Sequence, residues 1–474
     1  MKEDILLNPY AWSPWRTAAV DPRRPAVVVR DRSCSFGELT DRADEFSRTL
    51  LEYGVRDGEL ICSTLPPGPD FFALALACLR SGFGLLPVDR EFLEGPDGLS
   101  TVQEAAPCLQ VHENFGASDC PIFVRSQGLG PAAADDRPHP RLGVRSGYLA
   151  FVTSGTTGAP KVVVRNRPWY PYNGVAVMEK YAAGLGFGPH VMANPAFHLG
   201  TLGPALYALQ AGSPVVVLDR WSVPRLIEVV DRYRAASLFL SPDLLLDVTA
   251  SGQWPSHRPN VVFHAGAACP PGVKREAIRL MGPVLHEYYG TSEGIVSEIT
   301  TSEWLEHPGS VGRPLPGVEV RIQTDGQEVH VGEPGSIMVR RRSVDQGNGA
   351  EHLADTGDLG YLDTGGYLHV LGRAGEQGSI ERAQLEHQIR ALQGVADAVL
   401  LHSHEQEQRG FSCYVETAGD RSALAQAIES LVAGTSKAVR THIGPIGSFA
   451  RTPSGKLHLS QIAGQDKERV GTGQ

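Results

Sequence analysis

The stretch from residue 59 to residue 88 constrains the fold more than any other. Two short apolar runs, 59–64 and 84–88, flank the segment FFALALACLRSG, whose apolar positions suit a buried helix. Strand, helix and strand joined by short links define a parallel sheet, because only a crossover can return the chain in the same direction. The same alternation recurs at 190–194, 201–212 and 214–218, then at 223–235, 236–240, 261–264 and 271–281. Ahead of it, residues 35–57 carry apolar residues at helical spacing, with Ser35 as N-cap and Gly54 as stop.

The pattern changes near residue 315. Short strands (VEVRI, QEVHV, GSIMVR, YLHVL) now alternate with Gly and Pro turns, which predicts a β-rich subdomain. A polar, Gly-rich stretch, GRAGEQG, then leads into a helix and a strand over 378–401. A domain boundary is expected there, giving a large unit over 1–373 and a smaller one over 374–474. The tail after about residue 464 is polar and reads as frayed. No internal repeat is present.

At 474 residues the chain is long enough for about three domain-sized units and an ample core. Its balance of 42% hydrophobic and 20% charged residues excludes disordered and low-complexity classes. The net charge of −10, without long basic runs, argues against a nucleic-acid partner. Seven cysteines, an odd number with no C-x-x-C pair, argue against a disulfide framework or a zinc site and fit a reducing cytoplasm. The N-terminus lacks a continuous apolar run of signal-peptide type, and FFALALACL is about half a membrane span, so no membrane insertion is expected.

The most informative chemistry lies in YLAFVTSGTTGAPKVVVR, residues 148–165. An apolar strand runs into Thr153, Ser154, Gly155, Thr156, Thr157 and Gly158, and Lys161 opens a second strand. Glycines let a backbone approach a ligand, and successive N–H groups with hydroxyls between them cradle an anion. The segment is not a Walker A loop, since its spacing differs and no helix pattern follows. A plain Ser/Thr/Gly turn between strands is the other reading of these residues alone.

That loop resembles the phosphate loop of the adenylate-forming superfamily, which includes acyl- and aryl-CoA synthetases, nonribosomal-peptide adenylation domains and luciferases. Other motifs of that family occur in order. HEYYGTSEG (286–294) is similar to its YGxTE motif, DTGDLGYLDTGGYLHVLGR (355–373) to its TGD…GYL…GR stretch, and RTPSGKL (451–457) to its PxxxGK motif. The early segments RPAVVV, SFGELTDRA and GVRDGE also fit, so the resemblance covers essentially the whole chain, most closely that of the acyl- and aryl-CoA ligase branch.

The resemblance implies an α/β fold: a large N-terminal domain of two packed sheets with helices and a β-barrel-like subdomain, and a small C-terminal α+β lid hinged near 374–376. It implies an enzyme that joins a carboxylic acid to the α-phosphate of ATP, expels pyrophosphate, and passes the acyl group to a nucleophile, CoA or an amine. Lys456 resembles the catalytic lysine of the lid. Glu293 resembles the Mg²⁺-binding glutamate, a role that suits a carboxylate beside substrate phosphates. Tyr289, with Gly290, Thr291 and Ser292, matches the segment beside adenine and phosphate, and Ser292 stands where the family has threonine. HAGA, containing Gly266, resembles the small-residue segment beside the adenine. Asp358 resembles the carboxylate that accepts the ribose hydroxyls, and Arg373 the arginine that contacts the nucleotide.

The acid pocket is less legible. NPAFHLG (194–200) matches the pocket segment but lacks the aspartate with which amino-acid-activating relatives pair the substrate's amino group, which favours an aryl or acyl acid. His198 resembles a histidine beside the substrate carboxylate in acid–CoA ligases; a structural histidine bonded to a carbonyl is the alternative. LSPDLLLD and residues 169–172 are further candidates for the lining. One departure stands out. Between Arg373 and Ile380 the chain is about five residues shorter than the family pattern, and Gly375 and Glu376 occupy the acidic hinge positions. The missing loop is the one that shapes the pantetheine tunnel in thioester-forming relatives. Its loss weighs against thioester formation with CoA or a carrier protein and toward adenylation with another nucleophile, such as an amine, which no residue identifies. Diazotase-like activation of nitrite, and a non-catalytic nucleotide-binding homologue, are the remaining alternatives.

Overall fold

The computed structural model describes residues 14–113, 121–125, 147–153, 160–164, 188–291, 294–341, 353–374, 380–402, 410–433, 438–451, 457–459 and 461–462. The chain divides into two compact units: residues 1–239 with 255–262, and residues 240–254 with 263–474.

The first unit contains the strand–helix–strand core. Leu60–Ser63 and Gly84–Pro87 pair in parallel, joined by the helix Pro69–Ser81. The sheet continues outward through Leu109–His112 and Ile122–Arg125 on one side, and Tyr148–Val152 and Val162–Val164 on the other. Successive side chains leave opposite faces of a strand. Ile61, Leu85 and Leu149 therefore enter the main core, whereas Leu60, Cys62, Leu86 and Tyr148 pack against Val102 and Phe92 of the short helices on the far face. With both faces covered, the strands read as apolar runs rather than as alternation.

A second sheet of the same unit orders its strands Ser237–Phe239, His190–Met192, Val215–Val217, Pro25–Val29 and Arg32–Ser35, parallel except for the last pair. Val27, Met192 and Val215 join the same core as Ile61 and Leu85, so helices Phe36–Glu52, Pro69–Ser81 and Leu199–Gln210 are shared between two sheets. Phe36–Glu52 starts as the sequence predicts. The Ser35 side chain accepts from the Glu38 amide and the Glu38 carboxylate accepts from the Ser35 amide, and Gly54 adopts φ +75° just past the end.

The second unit begins with a helix that the sequence reading assigned only to pocket lining. LSPDLLLD is the start of Pro242–Ser251, with proline in the first turn and Gly252 in the left-handed conformation at its end. The helix Pro271–Met281 and the antiparallel pair Leu285–Thr291 and Gly294–Thr300 follow. The β-rich region is a five-stranded antiparallel sheet in the order Gln327–Glu328, Val318–Thr324, Gly335–Arg341, Ala354–Leu362, Leu368–Arg373. The strand Ala354–Leu362 is the one its motif had hidden, because its glycines depress β-propensity. Finally, Val395–His402, Gly410–Thr417 and Ala438–Gly444 form a small sheet carrying the helices Ile380–Arg390 and Arg421–Val432 on a core of Leu385, Ile389, Val415 and Ile428. No helix among the described residues is long and apolar enough to cross a membrane.

Candidate active site

In the second unit, three of the expected nucleotide residues meet. Asp358 and Arg373 are register partners across the strands Ala354–Leu362 and Leu368–Arg373. Arg373 Nε lies 3.1 Å from Asp358 Oδ1, and its Nη1 donates to the Thr356 carbonyl at 3.0 Å. Tyr289, from the strand Leu285–Thr291 of another sheet, donates its hydroxyl to Asp358 Oδ2 at 2.6 Å. Burial, then the facing Asp358 charge, pushes the Tyr289 phenol well above its ordinary range, so it is a permanent donor here.

The T-G-D sequence has a local reason at each position. Thr356 Oγ1 donates to the Ile337 carbonyl and accepts from the Asp358 amide, fixing the strand on both sides. Gly357 takes φ +71°, a conformation side chains rarely adopt, and an added Cβ there would stand 3.1 Å from Arg373 Nη1. Thr356 was not among the expected site residues. Its place in the motif was the available signal.

Gly290 follows Tyr289 at a register shift between the paired strands. A Cβ on it would approach the Gly294 carbonyl oxygen to 2.6 Å, so only glycine fits. Thr291 pairs with Gly294 at the end of the ladder. Ser292 and Glu293, between them, lie outside the described residues. Gly266, exposed at φ +94°, follows the strand Val261–His264.

The first unit holds the other candidates. Thr153 donates its amide to the Lys161 carbonyl at 2.7 Å, and its Oγ1 accepts from the Lys161 amide at 2.9 Å. The strands Tyr148–Val152 and Val162–Val164 continue that pairing, so the two ends of the Ser/Thr/Gly loop are clamped together. Ser154, Gly155, Thr156, Thr157 and Gly158 lie outside the described residues. His198 occupies the N-cap position of Leu199–Gln210; its carbonyl accepts from Thr201 and Leu202, and its ring meets Phe197 edge-on with centroids 4.7 Å apart.

Lys456, the hinge positions Gly375 and Glu376, and residues 169–172 also fall outside the description. Among the described residues no group of three His, Cys, Asp or Glu side chains could hold a metal ion.

Sequence reasoning also missed a buried charge pair. Lys274, on the amphipathic helix Pro271–Met281, would ordinarily face solvent. Instead it is 1% exposed, with Nζ 2.5 Å from Glu287 Oε2 and 4.9 Å from the centre of the Trp304 ring.

A profile for AMP-binding enzymes matches residues 14–347, and the chain belongs to that family. Indoleacetate–CoA ligase of Aromatoleum aromaticum is 26% identical over 399 residues, 76% of this chain and 78% of that protein. Triostin synthetase I of Streptomyces triostinicus is 26% identical over 486 residues, 92% and 90% of the two chains. Among solved structures, the amide bond synthetase McbA of Marinactinospora thermotolerans superposes with a TM-score of 0.73 at 22% identity, over 96% of this chain and 99% of that one. The o-succinylbenzoate CoA synthetase of Bacillus subtilis, in complex with its acyl-adenylate intermediate, gives 0.72 at 20% identity, over 96% and 98%. At such identities the superpositions show the fold, which is that of the adenylate-forming enzymes.

Proposed function

We propose that this chain is an ATP-dependent ligase that adenylates an aryl or acyl carboxylic acid. The observation that carries this reading is the Tyr289–Asp358–Arg373 constellation in a member of the AMP-binding family. A buried carboxylate braced by an arginine and a phenol, each of its oxygens having more than one lone pair, suits a ribose. Gly266 leaves room for the adenine, and the Ser/Thr/Gly composition of residues 153–158 is of the kind that cradles phosphates.

In the first step a carboxylate oxygen attacks the α-phosphorus, the bond to the bridging oxygen breaks, and pyrophosphate leaves. Lys456, on a lid formed by residues 374–474, meets the negative charge that develops on the carboxylate and bridging oxygens. Magnesium held by Glu293 would supply positive charge to the phosphates. His198, within NPAFHLG, orients the acid, and the absence of a pocket aspartate in that segment supports an acid without an α-amino group. In the second step a nucleophile attacks the acyl carbon and AMP leaves.

The nucleophile can be a thiol or an amine, and the shortened segment after Arg373 favours an amine. Incubation with ATP, Mg²⁺ and an acid panel, with CoA, with amines, or with neither, tests both steps by mass spectrometry. The expected products are AMP and an amide. Acyl-CoA would move the second step to thioester formation, and the absence of acid-dependent pyrophosphate exchange would overturn the reading. Lys456→Ala should abolish most exchange while leaving ATP binding nearly unchanged.

A further inference from the structure

A run of alternating charges joins the helix Ile380–Arg390 to the C-terminal sheet. Arg382 Nη1 donates to Glu386 Oε2 at 2.8 Å, and Arg390 Nη1 lies 2.7 Å from Glu386 Oε1. Arg390 Nε donates to Asp397 Oδ1 at 3.3 Å. Arg451 Nη2 then bridges Asp397 Oδ2 at 2.8 Å and Glu416 Oε2 at 3.2 Å. No side chain in the run is more than 20% exposed, and that of Glu416 is fully buried.

Replacing such a buried network by apolar residues is often neutral or stabilising, so stability alone does not account for it. What it provides is geometry. Glu416 Oε1 also accepts from the Phe449 amide at 2.7 Å, fixing the chain just ahead of Arg451. Arg451 forms a backbone bridge with Leu457, and the His458 amide donates to the Ala450 carbonyl at 2.8 Å. The Leu457 side chain packs against Val399, Leu401, Tyr414 and Phe449. Arg451 and Leu457 are therefore tied to each other and to the sheet, and the tie at Arg451 is a guanidinium held between two buried carboxylates. At the far end of the run, Arg382 Nη2 reaches the Arg373 carbonyl at 3.5 Å.

We propose that Arg451 is a positioning residue for adenylation: forked between Asp397 and Glu416, it sets the direction in which the following segment presents Lys456. This rests on the reading of Lys456 as the catalytic lysine. Arg451 acts through that lysine and does not itself touch the nucleotide or the acid. A lysine at 451 keeps the charge and can donate to both carboxylates, but its rotatable ammonium lacks the rigid planar guanidinium and so holds the direction less firmly.

The test is a double-mutant cycle on steady-state acid-dependent pyrophosphate exchange, with Arg451→Ala and Arg451→Lys made in the wild-type and Lys456→Ala backgrounds. In the wild-type background Arg451→Ala should lower kcat about tenfold or more with KM for ATP within about twofold, and Arg451→Lys should recover only part of it. In the Lys456→Ala background the same substitution should change the residual rate by less than about twofold, because residues acting as a unit are not additive. Equal losses in both backgrounds, or a rise in KM at constant kcat, would overturn the proposal. If Arg451→Ala does not fold, Glu416→Gln keeps the size of the partner and the acceptor for Phe449, and the same cycle applies. Wild-type exchange by Lys456→Ala would overturn the functional reading itself. A large loss in Lys456→Ala with unchanged kcat in Arg451→Ala would overturn this inference alone.

Discussion

Tyr289 hands its phenolic hydrogen to Asp358 Oδ2 over 2.6 Å, while Arg373 holds Oδ1 at 3.1 Å. The carboxylate is thus oriented from both sides before a nucleotide arrives. Removing the phenol costs a hydrogen bond to a charged acceptor, about 1.5–3 kcal/mol. Tyr289→Phe should accordingly raise KM for ATP about tenfold, and Asp358→Ala should raise it further. Both variants should discriminate less between ATP and its 2′- and 3′-deoxy analogues. Unchanged discrimination would remove Asp358 from the ribose site.

Gly290→Ala tests the close approach in the strand pair. The new Cβ would stand 2.6 Å from the Gly294 carbonyl oxygen and 2.9 Å from the Ile295 Cα, both backbone atoms that cannot rotate aside. Overpacking of this kind costs about 1–3 kcal/mol. A lower urea midpoint and weakened ATP binding should appear together; a wild-type midpoint would show that the ladder yields there.

His190 makes the acid side of the stability curve steeper. It is wholly buried, its Nδ1 lies 2.9 Å from Ser237 Oγ, and burial lowers its pKa from the ordinary 6.5 to about 3. Below pH 6.5 the unfolded chain therefore binds a proton that the native state refuses. Stability is full above that pH and declines as pH falls toward 3, by about 1.4 kcal/mol per unit from this residue. Between pH 7 and 5 wild-type should lose about 2 kcal/mol more than His190→Asn, read from urea unfolding at the two values. Parallel losses would show that His190 protonates within the fold.

Lys274→Met leaves Glu287 buried without its cation and should destabilise by about 3–5 kcal/mol. Adding Glu287→Leu removes the orphaned charge as well and should recover much of that loss, because two apolar side chains can replace a buried ion pair. A double variant less stable than Lys274→Met would mean that Glu287 serves another buried partner, and His264, with Nε2 4.0 Å from Glu287 Oε2, is the candidate.

The sequence was legible wherever a local rule had no competitor. The Ser35 cap with Glu38 three residues on, the strand–helix–strand run over 60–87 and the left-handed Gly54 each follow from neighbouring residues alone. The motif order carried the family. Less legible were the helix Pro242–Ser251, whose opening residues resembled a lining segment, and the strand Ala354–Leu362, whose glycines mask its extended form.

Local sequence thus determined many of the elements and their caps, and the motif order that marks the family. Tertiary structure decided which residues share a carboxylate, that Lys274 points inward, and that Arg451 sits between Asp397 and Glu416. The physical reason is range. A cap or a turn is settled within four residues, whereas Tyr289 and Asp358 are 69 residues apart and Arg451 and Asp397 are 54, so their pairing exists only once the strands have been placed.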